Sequence, residues 1–524
     1  MPKRILRVST ATQGVYVVQL QEEVDAAPYA ALSYCWGGDQ PHKTTKARLQ
    51  VSNPILRWDH LPKSIQDAVK VTVDLGILYL WVDSLCIAQD DEKELTLQIA
   101  EMPRIYTQAI MVVMASRATR ANEGFLGDID LNQEAELRAR LPFQCPGGLL
   151  GSAFLRCQEK SHDPEPIDYR AWCFQEYYLS QRMLTFGSLQ NRWVCPSTYL
   201  MSSSINIGRF TNGWKWQQDA NDSRLNVLEL HHETQKNFNT YSVTAIESER
   251  EALPRDKWYT LVGTYTRRSL SFTKDRILAI SGIAEIISPA MNDEYLAGHW
   301  KGSLPRELMW HMVAGDAKLS PRPAEYQGPS WSWTATNGEA YFKYGRPVND
   351  PTLTILDAQT ELVVAEAAFG AVSRGQVTIR GRLRKALWFG SSDPTGRTNL
   401  LKYPPSAGRK EQDNAFLITK VMPDAIEKEF EASGPIASQP LEVYLLEYGE
   451  LTGLGLRGLC GMMLREISSG EDPLGRFTRL GIFHVDAKLA KNNPDGVDAS
   501  FWRQRTGEEL RLFEGCELRD IVVE

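Results

Sequence analysis

The chain has 524 residues, a formal net charge of −7, 43% hydrophobic residues and 23% charged ones. That composition is ordinary for folded domains, the length suits two or three of them, and the acidic balance argues against general attraction to nucleic acid or an anionic membrane surface. Eight cysteines with no CxxC pair fit a reducing compartment, here expected to be the cytoplasm, rather than a disulfide framework. No run of ~18 apolar residues occurs, so no membrane span is expected. The start, MPKRILRVST, lacks the apolar core of a signal peptide.

In chain order, Val15 to Leu20 alternates weakly and reads as an edge strand. Tyr29 to Tyr34 reads as a strand ending in Cys35-Trp36-Gly37-Gly38-Asp39. Glycines at that place let a backbone approach a ligand or simply turn. Leu61 to Gly76 has helical periodicity, with Pro62 suited to the first turn and Gly76 to the stop. The apolar run Ile77 to Val82 reads as a strand buried on both faces, and it stops at Asp83. Ligands in open α/β sheets bind beyond the carboxyl ends of strands, so Asp83 stands where a site would be; it would equally cap the next turn. A second helix spans Glu92 to Ala109, with Pro103 expected to kink or restart it. Ile110 to Ala115 is a third buried strand. Residues 116–168 read mainly as an insertion.

Tyr169 to Arg182 reads as a helix. Trp172, Gln175, Glu176 and Leu179 share one face at i, i+3, i+4 and i+7. A carboxylate on an apolar stripe must be paired, hydrogen-bonded or shifted in pKa. Glu176 is therefore the foremost candidate for chemistry, with a salt bridge to Arg170 or Arg182 as the structural alternative. Met183 to Phe186 is a fourth strand. Beyond it, a helix is expected near 222–238, Lys257 to Ile287 is helical, and Trp300, Leu308, Trp310 and His311 continue a helical, aromatic section. From about 350 short alternating runs at 362–365, 376–383, 441–447, 459–464 and 479–485 give a β-rich region, with loops near 391–413 and 487–499. The expected domains are 1–200, 201–345 and 346–524. The fold class is α/β, a parallel sheet followed by helical and then β-rich parts.

The eight histidines show no HExxH or HxH spacing, and no metal is expected. GxGxxG, GxxxxGK[ST] and GxSxG are absent. Cys86 and Cys173 read as inert core thiols rather than nucleophiles.

Four stretches together resemble the fungal heterokaryon-incompatibility (HET) domain family: YAALSYCWG (29–37), LWVDSLCIAQDD (80–91) with QIAEMPRIYTQA (98–109), NEGFLG (122–127) and YRAWCFQEYYLSQRMLTFG (169–187). Leu95 departs from the basic residue common there. The segments 258–284, YLAGHW, PSWSW, RGLCG and RLGIF resemble the remainder of long HET proteins. The resemblance implies a role in fungal non-self recognition and cell death, and a distant likeness to TIR domains with a flavodoxin-like sheet. Some TIR domains cleave NAD at the nicotinamide–ribose bond with a glutamate in a WCxxE-like helix, and Trp172-Cys173-Phe174-Gln175-Glu176 matches that pattern. On this reading Glu176 and Asp83 are catalytic. Ser33, Tyr34, Trp36, Gly37, Arg170, Trp172, Gln175 and Arg182 hold the nucleotide. NAD is a substrate and no cofactor is required. The implied partners are a second copy of the chain or an incompatibility protein. Two other readings stand beside it: a non-catalytic interaction and sensing module, and a HET-fold enzyme recruited to small-molecule biosynthesis through a tryptophan-lined pocket.

Overall fold

The computed structural model describes residues 1–11, 14–22, 24–50, 54–127, 138–144, 150–156, 164–188, 191–195, 198–202, 247–312, 320–342, 346–347, 351–391, 399–402, 416–425, 436–453, 456–467, 474–486, 512–513 and 515–524. The chain divides into two compact units, Met1–Lys236 and Asn237–Glu524. The helix expected near 222–238 and most of the loops near 391–413 and 487–499 lie outside the described residues.

In the first unit nine strands form one sheet. They are β1 (Arg4–Thr10), β2 (Tyr16–Glu22), β3 (Tyr29–Ser33), β4 (Ile55–Leu56), β5 (Tyr79–Trp81), β6 (Met111–Met114), then, after a separate hairpin of β7 (Arg138–Gln144) and β8 (Leu150–Arg156), β9 (Met183–Phe186), β10 (Asn191–Cys195) and β11 (Thr198–Ser202). The order is β11-β10-β9-β6-β3-β5-β1-β2-β4. The four central strands run parallel: β3 pairs with β5 and β6, and β6 with β9. The strands added on both flanks are antiparallel. The sheet is therefore mixed, with a parallel centre.

The parallel centre follows from its composition. Tyr29 to Ser33 is buried at every position, as is Met111 to Met114, so neither strand can show a polar face to water. The crossovers are helical. They are α2 (Lys63–Asp74) between β3 and β5, α4 (Glu92–Gln108) between β5 and β6, and α5 (Ala171–Leu179) between β6 and β9. Two short helices, α1 (Lys46–Leu49) and α3 (Asp83–Cys86), complete the set. From β3 the chain moves one way to β5, then back across β3 to β6 and on to β9. With right-handed crossovers this puts α4 and α5 on one face and α2 on the other. Accordingly α4 packs against α5, while α2 packs on β1, β2, β3 and β5.

Several expectations need correction. Tyr16–Glu22 is not an edge strand, because β4 lies outside it. The first strand, Arg4–Thr10, was not expected; Arg4, almost fully buried, donates to the Cys86 carbonyl at 2.9 Å and pairs with Glu94. Pro103 does not break α4, which runs unbroken to Gln108. Asp91 caps this helix by accepting from Glu94 N at 3.3 Å. Residues 116–127 are not a loose insertion. Ala118, Ala121 and Phe125 are buried, and the buried Asp67 of α2 accepts from Phe125 N at 3.0 Å and Leu126 N at 3.2 Å. Gly124 has φ of +76°, and a Cβ there would lie 2.6 Å from Asp67 Oδ2. The NEGFLG segment is thus shaped by one buried carboxylate.

In the second unit, α6 (Glu247–Thr266) and α7 (Leu278–Met291) precede a stretch of short elements. The aromatic section expected to be helical is so only in part: a 3-10 turn (Lys301–Ser303) and α8 (Leu304–Glu307) lie between the short strands β12 (Tyr295–Leu296), β13 (His299–Trp300) and β14 (His311–Met312), while Ala340–Tyr341 (β15) pairs with β14. Trp258, Trp300, Trp310, Trp331 and Trp333 are all fully buried. Trp258 and Trp333 both donate to the Gly298 carbonyl, at 3.2 and 3.0 Å, and Trp310 donates to the Trp331 carbonyl at 2.8 Å. PSWSW is held inside a core at two points of main chain: the Trp333 indole bonds to the Gly298 carbonyl, and the Trp331 carbonyl accepts from the Trp310 indole.

The β-rich part comprises β16 (Arg346–Pro347), β17 (Thr354–Leu362), β18 (Val372–Ser391), β19 (Asn399–Lys402), β20 (Phe416–Pro423), β21 (Ile436–Gly453), β22 (Leu456–Glu466), β23 (Arg476–Asp486) and β24 (Leu518–Val523). The run expected at 362–365 is the turn after β17. β18 pairs with both β19 and β21, so the ladder β18-β21-β22-β23-β20-β19 closes on itself and removes its own edges. Trp388, Leu401, Val421, Leu445, Met463 and Phe483, one from each strand of that ring, belong to one apolar cluster.

Candidate functional site

The carboxyl ends of β3 and β5 and the start of α5 converge. Ser33, the last residue of β3, donates its hydroxyl to Glu176 Oε2 at 2.5 Å. Glu176 lies mid-helix on α5 and is 4% exposed. Removing a carboxylate from water disfavours its charged form, so burial pushes its pKa up to about 7. The Ser33 hydroxyl and the Arg170 charge work against this, and the Asp83 charge adds to it.

Asp83 opens α3 directly after β5. Its Oδ1 accepts from Ser84 N at 2.6 Å and its Oδ2 from Trp36 Nε1 at 2.9 Å. Burial raises its pKa to about 6, opposed by the Ser84 hydrogen bond, the Arg170 charge and the Trp36 indole. Both oxygens are thus engaged, which gives Asp83 the task of holding the Trp36 indole. Tyr34 OH meets Ser84 Oγ at 2.8 Å, joining the two strand ends. Arg170, the N-cap of α5, carries the positive charge felt by Glu176, Asp83, Cys35 and Cys173.

The thiols are unreactive by environment. Burial pushes Cys35 up to about 11 and Cys86 up to about 12, and Cys173 well above its ordinary value. A protonated buried thiol is a poor nucleophile. Among the described residues no group of histidines, cysteines and acids could hold a metal ion.

Residues 29–176 match the family model described as Heterokaryon incompatibility protein (HET). The chain carries a HET domain. No curated protein and no solved structure matches the chain. The HET match opens at Tyr29, the first residue of β3, and closes at Glu176 itself. It therefore spans both strand ends and the helix that form the site.

Of the residues expected at the HET site, Ser33, Tyr34, Trp36, Asp83, Arg170 and Glu176 are brought together. Trp172 is half-buried on the first turn of α5. Gln175 is fully buried, and neither amide atom has a hydrogen-bond partner among the described residues. Gly37 has φ of +69°, and the 120 loop crosses it so closely that a Cβ would lie 2.7 Å from Arg120 Cα. Arg182 is not at the site. It precedes β9 and reaches the Ile110 carbonyl at the start of β6, at the amino ends of the strands. Its position in sequence, after a helix that begins at the site, hides that the helix carries the chain back to the far edge. Sequence reasoning missed Ser84, which serves both Asp83 and Tyr34, and Arg120; neither lies on a periodic stripe.

Proposed function

We propose that the HET domain of this heterokaryon-incompatibility-type protein cleaves the N-glycosidic bond of a nucleotide, with NAD as the substrate class. The observation that carries this reading is Glu176, a buried carboxyl bonded to Ser33 beside the carboxyl end of a parallel strand, poised near neutral pH by desolvation against Arg170. Loss of nicotinamide from NAD leaves positive character on the ribose. A carboxylate placed in a low-dielectric site stabilises that charge strongly, and water then completes the hydrolysis. The cationic nicotinamide ring of the bound substrate would itself favour the ionised form of Glu176.

The setting supports the same reading. The parallel strands run in the order β5-β3-β6-β9, which is the order 2-1-3-4 of doubly wound flavodoxin-like sheets, among which TIR domains belong. In such sheets ligands bind where the strand order reverses, here beyond β3. Trp36, held by Asp83, offers an aromatic face for a base. The biosynthetic alternative draws no support from the described tryptophans of the second unit, which are buried in its core.

The test is nicotinamide release from NAD by the full chain, beside Glu176→Gln. Release that disappears in the variant supports the reading. Release that persists removes Glu176 from catalysis, and no release across a range of protein concentrations makes the domain a binding module.

A further inference from the structure

Cleavage chemistry does not say which end of the ligand is gripped, and one cation beside the site has no structural task. Arg120 is fixed by its backbone. Its main chain lies against Gly37, and the next residue, Ala121, donates N–H to the Trp36 carbonyl at 3.2 Å. Its side chain is exposed, and no hydrogen bond or ion pair of its guanidinium occurs among the described residues. Glu123, whose charge it influences, spends Oε2 on Thr119 N at 2.7 Å and Oε1 on Thr119 Oγ1 at 2.6 Å. The neighbouring cations are committed: Arg117 bonds to the Gly127 carbonyl, and Lys43 to Asp39 at 2.5 Å. Arg170 lies among the carboxyls and thiols of the site.

The 120 loop stands at the rim of that site. The Cys35 thiol feels the charges of Arg170, Glu176 and Glu123 together, so all three lie near the end of β3. The Gly37-Gly38 turn, with φ of +69° and +133°, follows the end of β3, and Gly37 lies against Arg120. Gly38 is open to solvent, and a Cβ there would meet nothing within 4 Å. Neither glycine N–H meets an acceptor among the described residues. Bare amides beside an unpaired guanidinium are the donor set that phosphate oxygens require.

We infer that Arg120 and the Gly37-Gly38 main chain form the phosphate-binding side of the site, so that its ligand is a nucleoside diphosphate or an ester of one rather than a nucleoside. This rests on the nucleotide reading above. It separates the labour of two arginines: Arg170 serves the carboxyls, and Arg120 the ligand's phosphates.

The test is calorimetric titration of the full chain with ADP, adenosine and inorganic pyrophosphate, using wild type, Arg120→Gln and Arg120→Lys. ADP is expected to bind at least about tenfold more tightly than adenosine, as one charge-assisted contact allows. Arg120→Gln is expected to erase that preference without changing adenosine binding, and Arg120→Lys to restore part of it. ADP binding that is no tighter than adenosine binding, or equal in wild type and Arg120→Gln, overturns the inference. Pyrophosphate binding as tightly as ADP overturns the nucleotide class and leaves an anion site. Nicotinamide release is followed separately. Arg120-dependent ADP binding without release defeats the cleavage reading alone, and release with Arg120-independent binding defeats this inference alone.

Discussion

Replacing Glu176 by Gln should stabilise the protein at alkaline pH and leave its acid stability nearly unchanged. The ordinary value of a glutamate is 4.5, and burial raises that of Glu176 to about 7. Between those values the folded state holds a proton that the unfolded chain has released. Stability therefore falls as pH rises through this window. The gap of about 2.5 pH units, at about 1.36 kcal/mol each, amounts to a cost of about 3 kcal/mol, fully present above pH 7 and absent below 4.5. Glutamine has the same shape, keeps an oxygen for the Ser33 hydroxyl, and never ionises. Asp83 is present in both proteins, so its own titration largely cancels from the difference. The assay is urea unfolding at pH 4, 6 and 8, following the transition that the substitution moves. The variant's advantage should grow by about 3 kcal/mol from pH 4 to pH 8. An advantage constant to within about 0.5 kcal/mol would mean that Glu176 is not desolvated in the folded state, and would refute the reasoning behind its role.

Three further outcomes follow from the same geometry. Asp67→Ala strips the acceptor from Phe125 N–H and Leu126 N–H and leaves Lys63 unpaired; a loss of about 2–4 kcal/mol in urea unfolding is expected, with faster proteolysis within 116–127. Arg182→Ala should leave ADP binding unchanged and stability within about 0.5 kcal/mol, because the side chain lies at the amino ends of the strands; weakened binding would contradict that placement. In the second unit, Arg479 pairs with Asp424 at 3.0 Å, both fully buried, and also donates to the Leu308 carbonyl at 3.0 Å and the Trp310 carbonyl at 2.5 Å. Arg479→Met alone should cost about 3–5 kcal/mol by removing the cation paired with Asp424, and adding Asp424→Leu should recover much of it; a double variant as unstable as the single one would show that the two bonded carbonyls dominate.

Much of the HET domain was legible because its elements carry strong periodic signals. Leu78 to Val82 and Ile110 to Ala115 are apolar runs, and both are central strands at nearly the expected residues, β6 parallel to both neighbours and β5 parallel to β3. Glu176 stood out because a carboxylate on an apolar helical stripe has few inexpensive explanations. The misreadings share a cause. Arg4–Thr10 alternates charge with apolar residues, and its Arg4 looks solvated until Cys86 O and Glu94, from distant segments, enclose it. Pro103 looks like a break, yet a helix packed on a neighbour tolerates one missing N–H. Trp300, Leu308, Trp310 and His311 have helical spacing, but the helical turns cover only 301–307, and Ala297 and Gly298, with φ of +47° and +94°, make the tight turn that puts Trp300 in a strand.

Local residue patterns suffice for the parallel centre of the first unit, the β-rich character of the second, and the HET motifs, since each depends on residues near one another in the chain. The tertiary structure alone decided which of those residues meet. Ser33 and Glu176 are 143 positions apart, and Trp36 and Asp83 are 47 apart. Their contact depends on the order β9-β6-β3-β5 and on which strand ends face the same way, and a strand's own residues encode its burial but not its neighbours. The same order sent Arg182 to the far edge and left Arg120 on the rim.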